Sequence, residues 1–323
     1  MKALFFGTPE VAVPFLDTLA KRADVLAVRP TVEAYLRRTP LLPSRTLGAG
    51  LKCELFQRTG SFKARGAIAK LASLDPAQRS RGVIAISAGN HAQAVAYAAA
   101  EFGVDALVVM WTGASAQKIA ATRGYGAQVD LEADNPAAAF ERLAELMETS
   151  GRTLVHPFAD EVVVAGAGTL GLEVAEDAPD ADAVVVPVGG GGLVSGVRVA
   201  LAGSGVRVVA VEPERSPALH AGLAAGAPVT VETASIADGL NAPFTSSLAL
   251  EACRDIERVL VTEEEIAAGF RFLYERAKLA CEPAGAAAVA ALLAGKVEAS
   301  RPVAIVSGGN VAPATASGIL GLP

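Results

Sequence analysis

Short, largely apolar runs alternate along this chain with longer stretches that are apolar at helical spacing. The runs at 82–86, 106–110, 127–131, 153–155, 183–187, 206–211, 258–261 and 303–306 predict strands. Between them, periodicity predicts helices over 61–74, 88–103, 115–124, 136–150, 165–176, 192–203, 216–224, 262–280, 283–293 and 310–320. Gly103 closes one helix, Asn135 offers an N-cap to another, and Thr262 with Glu265 forms a capping box. A strand with no polar face is buried on both sides, and the intervening helices serve as crossovers between parallel strands. The expected fold is therefore α/β, with two lobes, each an open, mostly parallel sheet covered by helices.

Residues 1–28 have a different texture. They predict a strand at 3–6, a turn at Gly7-Thr8-Pro9, a helix at 11–21 and a strand at 25–28. The opening MKALFFGTPEVAVPFLDTL resembles the start of methionyl-tRNA formyltransferases, but nothing downstream continues that likeness. The segment reads as an atypical N-terminal extension, and no function is carried over from that likeness. A short helix follows at 31–37, then an extended X-Pro stretch, Arg38-Thr39-Pro40-Leu41-Leu42. Residues 29–75 with 151–323 make the expected large lobe, and 76–150 a small mobile lobe. The crossover between them is placed at Thr149-Ser150-Gly151.

Hydrophobic residues make up 52% of the 323 and charged residues 19%, as in a globular chain. Lys plus Arg is 28 against 34 for Asp plus Glu, and no basic block offsets the net −6. This argues against nucleic-acid and anionic-membrane partners. Cys53, Cys253 and Cys281 are odd in number and widely spaced, without a zinc pattern. They suit the core of a protein in a reducing cytoplasm. No apolar run reaches the roughly 18 residues of a membrane span, and the N-terminus does not read as a signal peptide.

The candidate chemistry centres on Lys63, within Thr59-Gly60-Ser61-Phe62-Lys63-Ala64-Arg65-Gly66-Ala67. A lysine here either sits on a solvated helix face or is held in a partly dry pocket beside Phe62. Desolvation would lower its pKa and make the amine a nucleophile for Schiff-base chemistry. Gly189-Gly190-Gly191-Gly192-Leu193 lies between a strand and a helix. It reads as a phosphate cradle of converging N–H groups or as a tightly packed turn. It is not GxGxxG, and no GxxxxGK[ST] occurs, so dinucleotide and triphosphate binding lack support. Ser87-Ala88-Gly89-Asn90-His91 opens a helix and suits a carboxylate or phenolic oxygen, with a structural role for His91 equally open. Ser307, before Gly308-Gly309-Asn310, ends a strand and either caps a helix or faces the cleft at the carboxyl edge of the sheet.

Taken together, SFKARGA (61–67), SAGNHAQ (87–93), GGGGL (189–193), ADG (237–239) and SGGN (307–310) resemble fold-type II pyridoxal-phosphate enzymes. The likeness is to the threonine dehydratase and serine racemase group, with the tryptophan synthase beta-like fold. RTPLL (38–42), LKCE (51–54), ATRGYGA (121–127), VHPF (155–158) and EPAGA (282–286) support it over residues 30–320. The resemblance implies that Lys63 carries the cofactor and acts as base at Cα. It implies Phe62 and Gly239 on the two faces of the pyridine ring and Asn90 on the ring oxygen. Ser87, Asn90 and His91 would hold the substrate carboxylate, Gly189 to Leu193 the phosphate, and Ser307 the pyridine nitrogen. A hydroxyl does not stabilise a pyridinium as a carboxylate does, which favours elimination over transamination.

Individual positions refine the expectation. Family racemases place a second serine where this chain has Ala88, so the resemblance implies an L-threonine/L-serine dehydratase releasing a keto acid and ammonia. A serine racemase, a cysteine synthase-like β-replacement enzyme and an impaired cofactor-binding homologue are the alternatives. Glu212 matches one ligand of the family's divalent cation, but Ala218 stands where an Asp is usual, which leaves the metal site in doubt. Leu55 departs from the usual LKCEN, and the shortened 47–51 segment predicts a truncated strand. The short stretch after Asn310 implies no C-terminal regulatory domain and no feedback by isoleucine. The family habit implies a homodimer or homotetramer.

Overall fold

The structure is a computed structural model that describes residues 21–322. The strand expected at 3–6, the turn at Gly7-Thr8-Pro9 and all but the last residue of the helix expected at 11–21 lie outside these residues. The described chain opens with α1 (Arg22–Tyr35), a hairpin of β1 (Leu41–Ser44) and β2 (Ala49–Cys53), and α2 (Lys63–Ser73). Next come α3 (Pro76–Arg81), β3 (Val83–Ile86), α4 (Asn90–Phe102), β4 (Ala106–Trp111) and α5 (Ala116–Gly124). β5 (Gln128–Ala133), α6 (Pro136–Ser150), β6 (Thr153–Leu154) and α7 (Glu161–Asp177) follow. Then come β7 (Ala183–Pro187), α8 (Gly192–Ala200), β8 (Arg207–Pro213), α9 (Ala218–Ala225) and α10 (Ser247–Ala252). The chain closes with β9 (Glu257–Val261), α11 (Glu263–Glu275), α12 (Pro283–Leu293), β10 (Pro302–Val306) and α13 (Pro313–Leu320).

The strands form two sheets, as the apolar runs require. One has six strands in the order β1-β2-β10-β7-β8-β9, and the other four in the order β5-β4-β3-β6. Every pairing is parallel except β1 with β2. β3, β7 and β10 are buried along their whole length, so helices cover both faces. Among the described residues no helix is long and apolar enough to cross a membrane.

Several boundaries differ from the sequence expectation. Residues 25–28 are not a strand but part of α1, which also runs across the expected boundary at 28–29. Val25 and Val32 lie two helical turns apart and are both buried. Their packing outweighs the hydrogen bond that Pro30 removes from the helix interior. β6 pairs with β3, so the four-stranded sheet extends past the expected crossover at 150–151. In the 47–51 segment, β2 has five residues and is paired on both edges. The helix expected to reach 280 ends at Glu275, and the chain turns where Lys278 takes φ 61°. α3 and α10 were not expected; six residues each, they are too short for a period to show.

A buried ionic network fixes α2 to the rest of the large sheet. Lys52 on β2 and Arg65 on α2 are 0% and 1% exposed. The Arg65 guanidinium donates to both Glu54 oxygens at 2.8 Å and to Glu173 at 2.7 Å. Lys52 Nζ pairs with Glu173 at 2.7 Å and Asp177 at 3.1 Å, and donates to the Thr39 carbonyl at 2.8 Å. Glu173 and Asp177 belong to α7, which α2 approaches closely: a Cβ at Gly166 would lie 2.5 Å from the Arg65 carbonyl oxygen.

Burial pushes the Glu173 carboxyl up, but the Arg65 and Lys52 cations outweigh it and its pKa lies below the usual 4.5. A depressed carboxylate stabilises the fold above its unfolded pKa and loses that contribution as pH falls. Arg65→Met should leave Glu54 and Glu173 buried without their main cation and cost about 3–5 kcal/mol. Urea denaturation at pH 7 measures this, and the deficit should shrink on acidification. An unchanged midpoint would remove the network from the stability account.

Candidate active site

Adjacent strands β2, β10 and β7 end side by side, and the chain leaves each into a loop that carries candidate residues. After β2, two 3₁₀ turns (Glu54–Phe56 and Arg58–Gly60) lead to Lys63, the first residue of α2. This loop is stitched to the one after β10. Phe62 N–H donates to the Ser307 carbonyl at 3.1 Å, and Gly309 N–H to the Gly60 carbonyl at 2.9 Å. Ser61 and Gly308 form an antiparallel bridge. Lys63 is therefore held at the carboxyl edge of the sheet, where open α/β folds bind ligands.

Lys63 Nζ donates to the Pro157 carbonyl at 2.8 Å and lies 5.2 Å from the centre of the Phe62 ring. Desolvation pulls its pKa down to about 8, opposed by the Glu282 carboxylate. By accessible surface Lys63 is half-buried, between the solvated face and the dry pocket of the two sequence readings. Two histidines lie near this amine. His91 Nε2 is 2.7 Å from the Val155 carbonyl, which only accepts, so Nε2 carries the hydrogen. That leaves His91 Nδ1 as a buried acceptor without a partner. His156 Nδ1 accepts from Phe158 and Ala159 N–H at 3.2 and 2.9 Å. Burial lowers the two rings to about 3 and about 4, so both are neutral near pH 7.

The glycine turn sits between β7 and the nine-residue α8, whose first N–H groups have no partner within the helix. Its tightness is measurable: a Cβ at Gly190 would lie 2.3 Å from the Phe158 ring. Gly191 has φ 95°, and its Cβ would meet that of Ala249 at 2.4 Å. Gly189 packs on the Leu240 backbone, and Gly192 on Phe158. Leu193 is buried in the core beneath. Gly239 lies in the turn Asp238–Leu240, where a Cβ would be 3.6 Å from Glu282 Oε1. An ion pair from Lys118 on α5 to Asp238 joins the four-stranded side to this turn at 2.5 Å.

The loop after β3 brings in Ser87 and Asn90. Ser87 Oγ accepts from Gly89 N–H at 3.1 Å, and Asn90 is the first residue of α4. Asn90 Nδ2 donates to Glu282 Oε1, and Asn90 Oδ1 accepts from Asn310 Nδ2, both at 2.7 Å. Burial and the nearby Asp238 charge raise Glu282 to about 7. Ser307 is buried at the end of β10, and the Ser61 hydroxyl beside it is buried without a partner. Glu282 and Asn310 were not singled out from sequence. Only their places within EPAGA and SGGN hinted at them.

Glu212 is apart from this group. Its two oxygens accept from Leu219 and His220 N–H at 2.7 and 2.8 Å, at the start of α9. Burial raises its pKa to about 7. Among the described residues no cluster of three or more His, Cys, Asp or Glu is placed to hold a metal.

The Lys63 amine has a testable property. Only the free base attacks an aldehyde, and the fraction of free base rises through the folded pKa. Capture of a small aldehyde by the cofactor-free protein, followed by reductive trapping and mass spectrometry, should rise to a midpoint near pH 8. A midpoint near the ordinary 10.5 would show a solvated lysine.

Comparison with known proteins identifies the family. Residues 32–308 match the family described as pyridoxal-phosphate dependent enzymes. The chain is 45% identical over 300 residues to an L-threonine ammonia-lyase of Thermotoga maritima, covering 89% of this chain and 75% of that protein. It is 40% identical over 319 residues to a phenylserine dehydratase of Ralstonia pickettii, covering 94% and 98%. Among solved structures it is similar to maize serine racemase, with a TM-score of 0.88 and 33% identity over 92% of this chain and 96% of that one. With the family match spanning residues 32–308 and both sheets, this chain belongs to the pyridoxal-phosphate-dependent enzymes.

Proposed function

We propose that this protein is an ammonia-lyase that dehydrates L-threonine or L-serine to 2-oxobutanoate or pyruvate plus ammonia. The observation that carries this reading is the half-buried Lys63 amine, bonded to the Pro157 carbonyl at 2.8 Å at the carboxyl edge of the sheet. Relatives named for threonine and phenylserine point to the same substrate class, since both amino acids carry a hydroxyl on Cβ.

The residues present fit pyridoxal phosphate. A glycine turn that leaves no room for Cβ atoms opens α8, as a phosphate cradle requires. The site loops also hold the half-buried Lys63 amine and the orphaned Ser61 hydroxyl and His91 Nδ1. Gly189, Gly190, Gly191, Gly192 and Leu193 would bind the phosphate through backbone N–H groups. Phe62 and Gly239 would line the ring faces, Asn90 the ring oxygen, and Ser307 the pyridine nitrogen. Bound pyridoxal phosphate supplies the electron sink that makes the Cα proton of an amino acid acidic.

The chain's own groups do the rest. Lys63 as free base takes the Cα proton, and its lowered pKa keeps a working fraction deprotonated near neutral pH. Ser87, Asn90 and His91 hold the substrate carboxylate at the N-terminus of the thirteen-residue α4. His91 does so through its backbone, since its ring is neutral and bonded to Val155. Loss of the β-hydroxyl leaves an enamine, which water converts to the keto acid and ammonia. Glu212 is assigned to holding α9 rather than a divalent cation.

The likeness to serine racemase supports a second reading. Racemisation requires a proton delivered to the face of Cα opposite Lys63, and residue 88 in this loop is Ala, without a proton to give. Elimination is therefore preferred. We further propose that the four-stranded side moves as the small lobe, that the protein is a homodimer or homotetramer, and that it is cytoplasmic.

Keto-acid formation from L-threonine and L-serine, measured in a coupled assay with added cofactor, tests the function. Lys63→Ala should lower it by at least about 10²–10⁴-fold, the scale of a lost general base. Chiral chromatography should show L-serine consumed without equilibration to D-serine. Equilibration at a rate like that of deamination would favour the racemase.

A further inference from the structure

Glu282 is the least conventional charge in the molecule. It occupies the N-cap position of α12, where a carboxylate ordinarily accepts from the first N–H groups of its own helix. Its side chain makes no such bond. It is 4% exposed, and among the described residues no cation forms an ion pair with it. Burying a carboxylate without a cation is costly. Its Oε1 instead accepts from Asn90 Nδ2 at 2.7 Å, across 192 residues of sequence.

We propose that Glu282 is a positioning residue that fixes the side-chain amide of Asn90 so that one Nδ2 hydrogen remains available to a ligand oxygen. The inference rests on the cofactor assignment made above for Asn90.

Three hydrogen bonds carry it: Asn90 Nδ2 to Glu282, Asn310 Nδ2 to Asn90 Oδ1, and Asn310 Nδ2 to the Thr59 carbonyl, all at 2.7 Å. The direction of this chain is forced from the Thr59 end, and ionised Glu282, which only accepts, matches it at the other by facing the NH₂ of Asn90. A backbone carbonyl only accepts, so the NH₂ of Asn310 must face Thr59. The Asn90 oxygen then meets the Asn310 NH₂, and a flipped Asn90 would set two NH₂ groups against each other. One Asn90 Nδ2 hydrogen is used on Glu282, and the second is the one left to donate.

The packing makes the arrangement rigid. A Cβ at Gly60 would lie 2.5 Å from Asn310 Oδ1, and a Cβ at Gly308 the same distance from Glu282 Oε1. Glycine at both positions makes room for the two side chains. Gly60 takes φ 73° beside Thr59, which itself takes φ 60°. The strained turn thereby presents the Thr59 carbonyl to Asn310.

The test is a cofactor titration of full-length protein stripped of pyridoxal phosphate, followed by fluorescence quenching, with thermal unfolding as a control. Glu282→Ala and Asn90→Ala should each weaken cofactor binding by about tenfold, as expected for a lost charge-assisted bond. Because they break one unit, the double variant should bind no more weakly than Asn90→Ala alone. Glu282→Gln keeps an acceptor oxygen and should recover affinity to within about threefold of wild type. If Glu282→Ala does not fold, Asn310→Ala loosens the same amide from the other side and should also cost about tenfold. Unchanged affinity in Glu282→Ala or Asn310→Ala would overturn the proposal, as would effects that multiply in the double variant. The titration reads binding rather than turnover. A wild type that forms no keto acid would overturn the proposed function, while the same ratios still decide the role of Glu282.

Discussion

The guanidinium of Arg65 is the point on which the site's geometry depends. It joins three elements: α2, which carries it, the 3₁₀ turn with Glu54, and α7 with Glu173, which lies 108 residues along the chain. Lys52 on β2 extends the contact to Asp177 and to the carbonyl of Thr39. A network of this kind adds little net stability over apolar packing of the same shape, because desolvation offsets most of the attraction. Its consequence here is positional. Lys63 lies two residues before Arg65, within the same helical turn, so fixing the guanidinium fixes where the Lys63 amine emerges.

Around that amine, desolvation acts on four ionisable groups in the same sense. Lys63, His91 and His156 are lowered, and Glu282 is raised. Each is pushed toward its neutral form. Lys63 and Glu282 come to lie near neutrality, where a small change in surroundings moves a proton. The histidines lie far enough below it to serve as fixed dipoles. Partial desolvation of this kind suits removal of a proton from carbon, where a solvated ammonium is a poor base.

Much of this architecture was legible in the chain. Fully buried strands such as Ala183–Pro187 and Pro302–Val306 announce themselves because no position on them needs water. Asn135 and Thr262 act as caps as read, since capping is settled within four residues. The expected strand at 25–28 is instead helix because Val25 packs with Ala165 and Leu172 of α7 and Val199 and Ala200 of α8, contacts that no local pattern shows. Glu212 matched a ligand pattern, but its oxygens bond the backbone of α9, which a motif does not reveal.

The sequence by itself determined the alternation of strand and helix, the glycine turn before α8 and the presence of a lysine at the start of α2. These rest on periodicity, caps and the absence of side chains, all properties of neighbouring residues. Whether Lys63 is a surface cation or a desolvated amine was decided only in three dimensions, by Pro157, Phe62 and Glu282 around it. The orientation of Asn90 was decided the same way, by partners 192 and 220 residues away. The physical reason is that burial and electrostatic pairing depend on distance in space, and folding sets that distance across stretches no local pattern spans.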